Sequence, residues 1–236
     1  MTKILFDEKF EIFLFNGTTE QIGTSKLGEF LSFLKYHKAQ MPYKFAFVSE
    51  KASLIPELSL IQNILIDFNP NSLTESKEVQ FHDFLKSQKN KSLEQLFNKI
   101  TLPHELPSQA NSQMNKVASL IKALLNEGQF LFLEEPENHL EQETLKLFSD
   151  ALKAQLEEKE VNIFIYSKNS DFWKPHAHKS VSRNKDFSFK IEEINKHSQW
   201  EKERQHFYSK SSENQTNTLV FHNLKKVPAP SKKDAA

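Results

Sequence analysis

Residues 130–133 are four apolar side chains in a row, and they run directly into Glu134-Glu135-Pro136. This junction constrains the fold more than any other stretch. A short apolar run with no polar face reads as a strand buried on both sides, which is the habit of parallel sheets covered by helices. The carboxylates then mark the point where the strand leaves the core. Ligands of open α/β sheets bind just outside the carboxyl ends of such strands. An acidic pair in that place has the chemistry to hold Mg²⁺ and polarise a water.

Other segments supply the partners that such a strand needs. Residues 10–15, Phe45–Val48 and 161–166 read as further strands, and 187–194 alternates like an edge strand. Lys26–Tyr36 reads as a helix with Leu27, Phe30, Leu31 and Leu34 on one face. Residues 117–125 form a strongly amphipathic helix that Gly128 ends, and 141–156 form another. Between residues 58 and 102 the pattern is helical and more polar, with Phe81, Phe84, Leu85, Leu93, Leu96 and Phe97 facing inward. Asn69-Pro70-Asn71-Ser72 reads there as a turn before a new helix. Strands alternating with helices give a mostly parallel α/β sheet, in which the strand ending at Leu133 should lie centrally, beside the strand ending near Phe15. The expected divisions are 1–56 and 117–194 as two parts of one α/β core, 57–116 as an inserted helical subdomain, and 195–236 as an extension. Residues 225–236 of that extension have the composition of a disordered tail.

Composition removes several classes of function. Lysine plus arginine equals aspartate plus glutamate, 31 against 31, so no global field draws nucleic acid. The absence of cysteine excludes thiol nucleophiles and cysteine-based zinc sites. No apolar stretch approaches the roughly 20 residues of a membrane helix, and the N-terminus does not read as a signal peptide. There are four glycines, where average usage of about 7% would supply roughly 16. A backbone cradle for phosphate depends on glycine, so this scarcity argues against an ordinary one. His176 and His178, with His104 and His139 elsewhere, read as loop histidines rather than a metal site. The aromatic and basic residues of 200–208 read as a helix over the sheet edge, because glutamates interrupt them.

The order of these motifs resembles the nucleotide-binding subunit of ATP-binding cassette (ABC) transporters over residues 5 to 194. FLFLEEPENHLEQET resembles the family's Walker B strand, catalytic glutamate and D-loop. KVASLIKALLNEGQF is similar to the helix after its signature motif, and FAFVSEKASLIPELSLIQNIL to its Q-loop region. VNIFIYSKNSDFW stands where the family places its switch-histidine strand. The resemblance implies a P-loop NTPase-like core with an inserted helical subdomain. Only 16 residues precede Gly17, so it also implies that the N-terminal antiparallel subdomain, with its adenine-stacking aromatic, is largely missing.

Carried over residue by residue, the resemblance implies a degenerate site. The family's phosphate loop, G-x-x-x-x-G-K-[ST], cradles phosphates with backbone N–H groups and a lysine. Its match runs from Gly17 to Gly23 with one residue too many, and Thr24 then Ser25 follow where lysine belongs. Lys26 comes two positions late, and two steps of about 100° on a helix turn it away from the phosphates. Glu50 stands at the Q-loop glutamine, and Asn111 and Ser112 at the serine and first glycine of the signature motif. Lys168 stands at the switch histidine and Glu134 at the Walker B aspartate. Glu135 alone survives, as the general base. The implied function is a pseudo-ATPase subunit, structural or regulatory, with no cofactor and no metal. Its partners would be a permease-like integral membrane protein and a second ABC-type subunit. It would lie in the cytoplasm, peripheral on the inner face of a membrane. Docking would use an exposed apolar groove between residues 58 and 102 that includes Leu60 and Phe84. Two alternatives stay open: an active ABC subunit working with ATP and Mg²⁺ in a heterodimer, and a non-transport scaffold related to DNA-acting ATPases.

Overall fold

The computed structural model describes residues 11–15, 25–39, 41–69, 76–88, 91–159 and 161–194. Gly17, Gly23 and Thr24 of the expected phosphate loop lie outside the described residues, as do the turn at 70–72, the segment 200–208 and the tail at 225–236. The apolar run forms strand β3 (Phe130–Glu134), buried through its first four residues. On one side it pairs in parallel with β2 (Phe45–Val48), on the other with β4 (Asn162–Tyr166). β1 (Ile12–Phe15) pairs in parallel with β4 and with β5 (Lys179–Arg183). β6 (Phe189–Glu193) closes the far edge antiparallel to β5. The order across this sheet is β2-β3-β4-β1-β5-β6.

Two sequence expectations change here. β3 was expected beside β1, but β4 lies between them. All five residues of β4 are buried, and its Ile163, Phe164 and Ile165 pair with Ile12–Leu14 on one side and Leu131–Leu133 on the other. A strand buried on both faces belongs in the interior of the sheet, and this register places β4 there, between β1 and β3. β5 was not expected at all. Its KSVSR sequence buries only Val181, so it carries too little apolar pattern to read as a strand.

Helix α1 (Lys26–Tyr36) starts at Ser25, whose hydroxyl accepts from the Gly28 N–H at 3.0 Å. It lays Phe30, Phe33 and Leu34 on the sheet, while Leu27 and Leu31 pack at the margin of the same cluster. Phe13 stacks on Phe164 at 4.8 Å and Phe30 on Phe132 at 4.7 Å, so the layer between helix and sheet is largely aromatic. Much of the chain's store of 21 phenylalanines is used here.

Helices α2 (Leu60–Leu65), α3 (Lys77–Ser87) and α4 (Ser92–Phe97) fill the middle of the chain. They lead to α5 (Ser112–Leu125) and, after β3, α6 (Gln142–Glu158). A fully buried Asn63 ties α2 to the preceding loop through the Ile55 N–H and the carbonyls of Ile55, Leu58 and Ser59. Phe81, Leu85, Leu93, Leu96 and Phe97 face inward as expected. Leu60 does not belong to an exposed groove: it is 0% exposed, the first residue of α2. Phe84 is half-buried and borders a hollow of about 470 Å³ shared with Phe68, Asp83, Leu125, Glu127 and Lys159. That lining is mixed rather than apolar. α5 ends at Asn126 in extended backbone, and Gly128 serves a different purpose from the expected helix cap. A side chain there would meet the Lys44 carbonyl and the Phe45 Cα, each at 3.1 Å, so glycine lets the chain pass close to the start of β2.

Candidate active site at the end of β3

Beyond Glu134 the backbone leaves the sheet sharply. Glu135 adopts φ 45°, a left-handed conformation uncommon outside glycine, while its N–H still donates to the Tyr166 carbonyl of β4 at 2.7 Å. The side chain of Glu135 is 1% exposed and both its oxygens are engaged. Oε1 accepts from the Lys26 ammonium at 3.3 Å and Oε2 from the Lys168 N–H at 3.1 Å. The Lys168 ammonium, 66% exposed, stands 3.9 Å from Oε1. Glu134 Oε1 is 3.4 Å from the same Lys26 ammonium.

Lys26 therefore reaches the acidic pair, a contact that the rotation argument, framed on the phosphates, did not address. Side chains on a helix tilt toward its N-terminus, and the N-terminus of α1 lies toward the carboxyl ends of the strands. The ammonium also sits 4.5 Å from the centre of the Tyr166 ring. Burial disfavours its charge, but the hydrogen bond and charge of Glu135, reinforced by Glu134, outweigh this and hold its pKa above the ordinary lysine value.

The turn after Glu135 is braced from three directions. Asn138 and Leu140 donate backbone N–H groups to the carbonyls of Glu135 and Glu137. The Glu137 carboxylate accepts from the Ser167 hydroxyl and from the Trp173 indole N–H, the latter at 3.0 Å. Trp173 belongs to the short helix α7 (Ser170–Trp173) and is fully buried. Asn138 donates its amide to Glu50 Oε1 at 3.2 Å, and the Glu141 N–H donates to Gln113 Oε1 at 3.1 Å. The structure thus gathers Glu50, Glu134, Glu135 and Lys168, together with Lys26, at one end of the sheet. Asn111 and Ser112 open α5 and are exposed. The Asn111 carboxamide is spent on its own helix, accepting from the Met114 N–H at 2.8 Å. Ser25 is likewise committed to capping α1.

One participant was missed in the sequence. Lys116 of α5 is 0% exposed, and its ammonium donates to the carbonyls of Ser49 at 3.0 Å, Glu50 at 3.1 Å and Glu134 at 3.5 Å. It ties the ends of β2 and β3 together. Burial lowers its pKa from 10.5 to about 8, against the opposing charges of Glu137, Glu134, Glu50 and Glu135. The signal was present in the spacing: Lys116 shares a helix face with Leu120 and Ala123, both inward.

The histidines have structural surroundings. His178 Nδ1 accepts from the Ile12 N–H at 3.0 Å, His176 lies against the rings of Phe172 and Trp173, and His104 pairs with Glu78. Among the described residues no group of three or more His, Cys, Asp or Glu is arranged to hold a metal. Nor do Glu134 and Glu135 fit Mg²⁺ as they stand, because one ammonium already lies against both.

No protein-family model matches the sequence, and no curated protein is significantly similar to it. Solved structures are similar to its fold. The dimeric post-hydrolysis state of the ATP-binding cassette MJ0796, bound to ADP and Pi, superposes with a TM-score of 0.56 at 13% identity, covering 79% of this chain and 86% of that one. A second dimeric structure of the same protein, described as a bacterial ABC transporter cassette, gives 0.54 at 13% identity over the same shares. An inward-facing metal-chelate type ABC transporter gives 0.51 at 15% identity, covering 79% of this chain and 74% of that one. A six-stranded, mostly parallel sheet with helices packed on it, ending in an acidic turn, is thus the fold of the ABC transporter nucleotide-binding domain, a P-loop NTPase fold.

Proposed function

We propose that this chain is a pseudo-ATPase: an ABC-type subunit that keeps the fold, does not hydrolyse ATP, and acts as a structural or regulatory part of a membrane transport-like complex. The observation that carries this reading is the burial of Glu135, 1% exposed, with one oxygen held by Lys26 and the other by the Lys168 N–H. A general base needs an oxygen within reach of the water it activates. Lysine at position 168 supplies only donors where a neutral histidine would accept a hydrogen bond. The Asn111 side chain covers the amide end of α5, where the resemblance places the grip on a second subunit's nucleotide.

No cofactor or metal is part of this reading, and the balanced charge supports no role with nucleic acid. Among the described residues no helix is long and apolar enough to cross a membrane, so a permease-like integral protein would supply the span. This chain would sit at its cytoplasmic face, with a second ABC-type subunit as a further partner. Exposed Ile66 and Val79, together with Phe84, offer apolar contact in the helical region. Pull-down from native membranes should recover an integral protein, and Phe84→Asp should weaken that recovery; soluble partners alone would refute the membrane role.

The competing reading, an active ATPase in a heterodimer, draws on the cation that Lys26 places beside Glu135. Calorimetry with Mg-ATP separates the two. Triphosphate charge left unpaired costs about 3–5 kcal/mol, or roughly 10²–10³-fold or more in affinity, so no saturable heat is expected at millimolar nucleotide. A low-micromolar dissociation constant, or turnover abolished by Glu135→Gln, would establish the active reading instead.

A further inference from the structure

We infer that Lys26 is a resident counter-ion, its ammonium standing between Glu134 and Glu135 where a bound divalent cation would otherwise stand. The inference extends the reading above from nucleotide to metal. Its test uses no nucleotide, so the two can fail separately.

The geometry is specific to these residues. The ammonium is 3.3 Å from Glu135 Oε1 and 3.4 Å from Glu134 Oε1, and the Tyr166 ring lies beneath it at 4.5 Å. Three strand-end groups, one carboxylate fully buried, converge on the Lys26 ammonium, while the exposed Lys168 ammonium stands farther off, 3.9 Å from Glu135 Oε1. The stem is equally fixed. Lys26 is the first residue of a helix capped by Ser25 and anchored in the core by Phe30, Phe33 and Leu34. Mg²⁺ needs near-octahedral oxygens at about 2.0–2.1 Å. It could enter only by expelling the ammonium, because two cations sharing two carboxylates repel one another. A lysine cannot diffuse away as a metal can, so the acidic pair stays partly neutralised whatever the metal concentration. Its charge is also single where a metal's is double, which leaves one net negative charge on the trio.

The consequence is a site that ignores divalent cations until one side chain is removed. Mn²⁺ serves as the probe, followed by its electron paramagnetic resonance signal during titration of the full chain without nucleotide. Wild type should show no saturable binding up to millimolar Mn²⁺. Lys26→Ala should acquire one site at least about tenfold tighter than any wild-type binding, a shift of about 1.4 kcal/mol. Lys26→Ala with Glu135→Gln should lose it again. Lys26→Arg, which keeps the charge, should remain blind to Mn²⁺. If Lys26→Ala does not fold, Lys26→Met keeps most of the apolar stem beside Tyr166 and decides the same question. Tight Mn²⁺ binding by wild type would overturn the inference. So would a folded, charge-free Lys26 variant that gains no site.

Discussion

Replacing Phe164 with alanine should lower the unfolding free energy by about 3–5 kcal/mol, a large share of the roughly 5–15 kcal/mol that holds an ordinary domain together. Phe164 is fully buried in the middle strand of the β3-β4-β1 group. Its ring stacks on Phe13 at 4.8 Å and meets Phe30 at 5.0 Å, Phe33 at 5.7 Å and Phe130 at 6.0 Å. No single neighbour can move in to fill the gap, because each ring is held by its own strand or helix. Denaturant unfolding followed by circular dichroism measures the loss. Val79→Ala, at a side chain 51% exposed on α3, should change stability by less than about 0.5 kcal/mol in the same experiment. A Phe164→Ala loss as small as that of Val79→Ala would mean the aromatic layer is not packed as described.

The second large effect is a dependence on pH. Lys116 has its pKa lowered from 10.5 to about 8 by burial. Below pH 8 both folded and unfolded chains hold the proton, and the fold bears the full cost of a buried charge. Between pH 8 and 10.5 the unfolded chain still holds it while the folded chain releases it, so stability rises with pH. The gain is on the order of 3 kcal/mol across that window. Other lysines also titrate: burial lowers the pKa of Lys159, and the acidic pair raises that of Lys26. Both remain in a Lys116→Met variant, so the difference between wild type and variant isolates Lys116. Denaturant curves at several pH values from 7 to 10.5 should show that difference growing in favour of wild type. A constant difference would show that Lys116 titrates normally and is not sealed beneath Ser49, Glu50 and Glu134.

Much of the fold was legible because burial imposed a pattern on the residues. β3 and β4 read as strands from their apolar runs, and α1 runs between the residues expected, with Ser25 at its cap. What escaped notice had its pattern supplied from outside the segment. β5 is a strand because β1 and β6 flank it, and its own five residues bury one side chain. At the site, the acidic pair was visible because two carboxylates after an apolar run are unusual in any sequence. The cations around it were less so. A lysine in an amphipathic helix ordinarily marks the solvent face, and only three inward-facing carbonyls make Lys116 an exception. Counting rotation around α1 did not reveal that Lys26 meets the acidic pair, because the count ignores the tilt and length of the side chain.

The strand order has a consequence for how the chain reaches its native state. Glu11 and Asn162, which share a hydrogen bond beside the β1-β4 pair, are 151 positions apart. β1 is made before both strands that flank it, which belong to the last third of the described chain. During synthesis Ile12, Phe13, Leu14 and Phe15 therefore wait, without their sheet partners, for the far end of the domain. Non-local pairing of this kind slows folding, and an apolar strand held open in the interval is prone to wrong partners. The middle of the sheet cannot close until β4 is made, so a truncation that removes β4 and all that follows it leaves β1 without either neighbour.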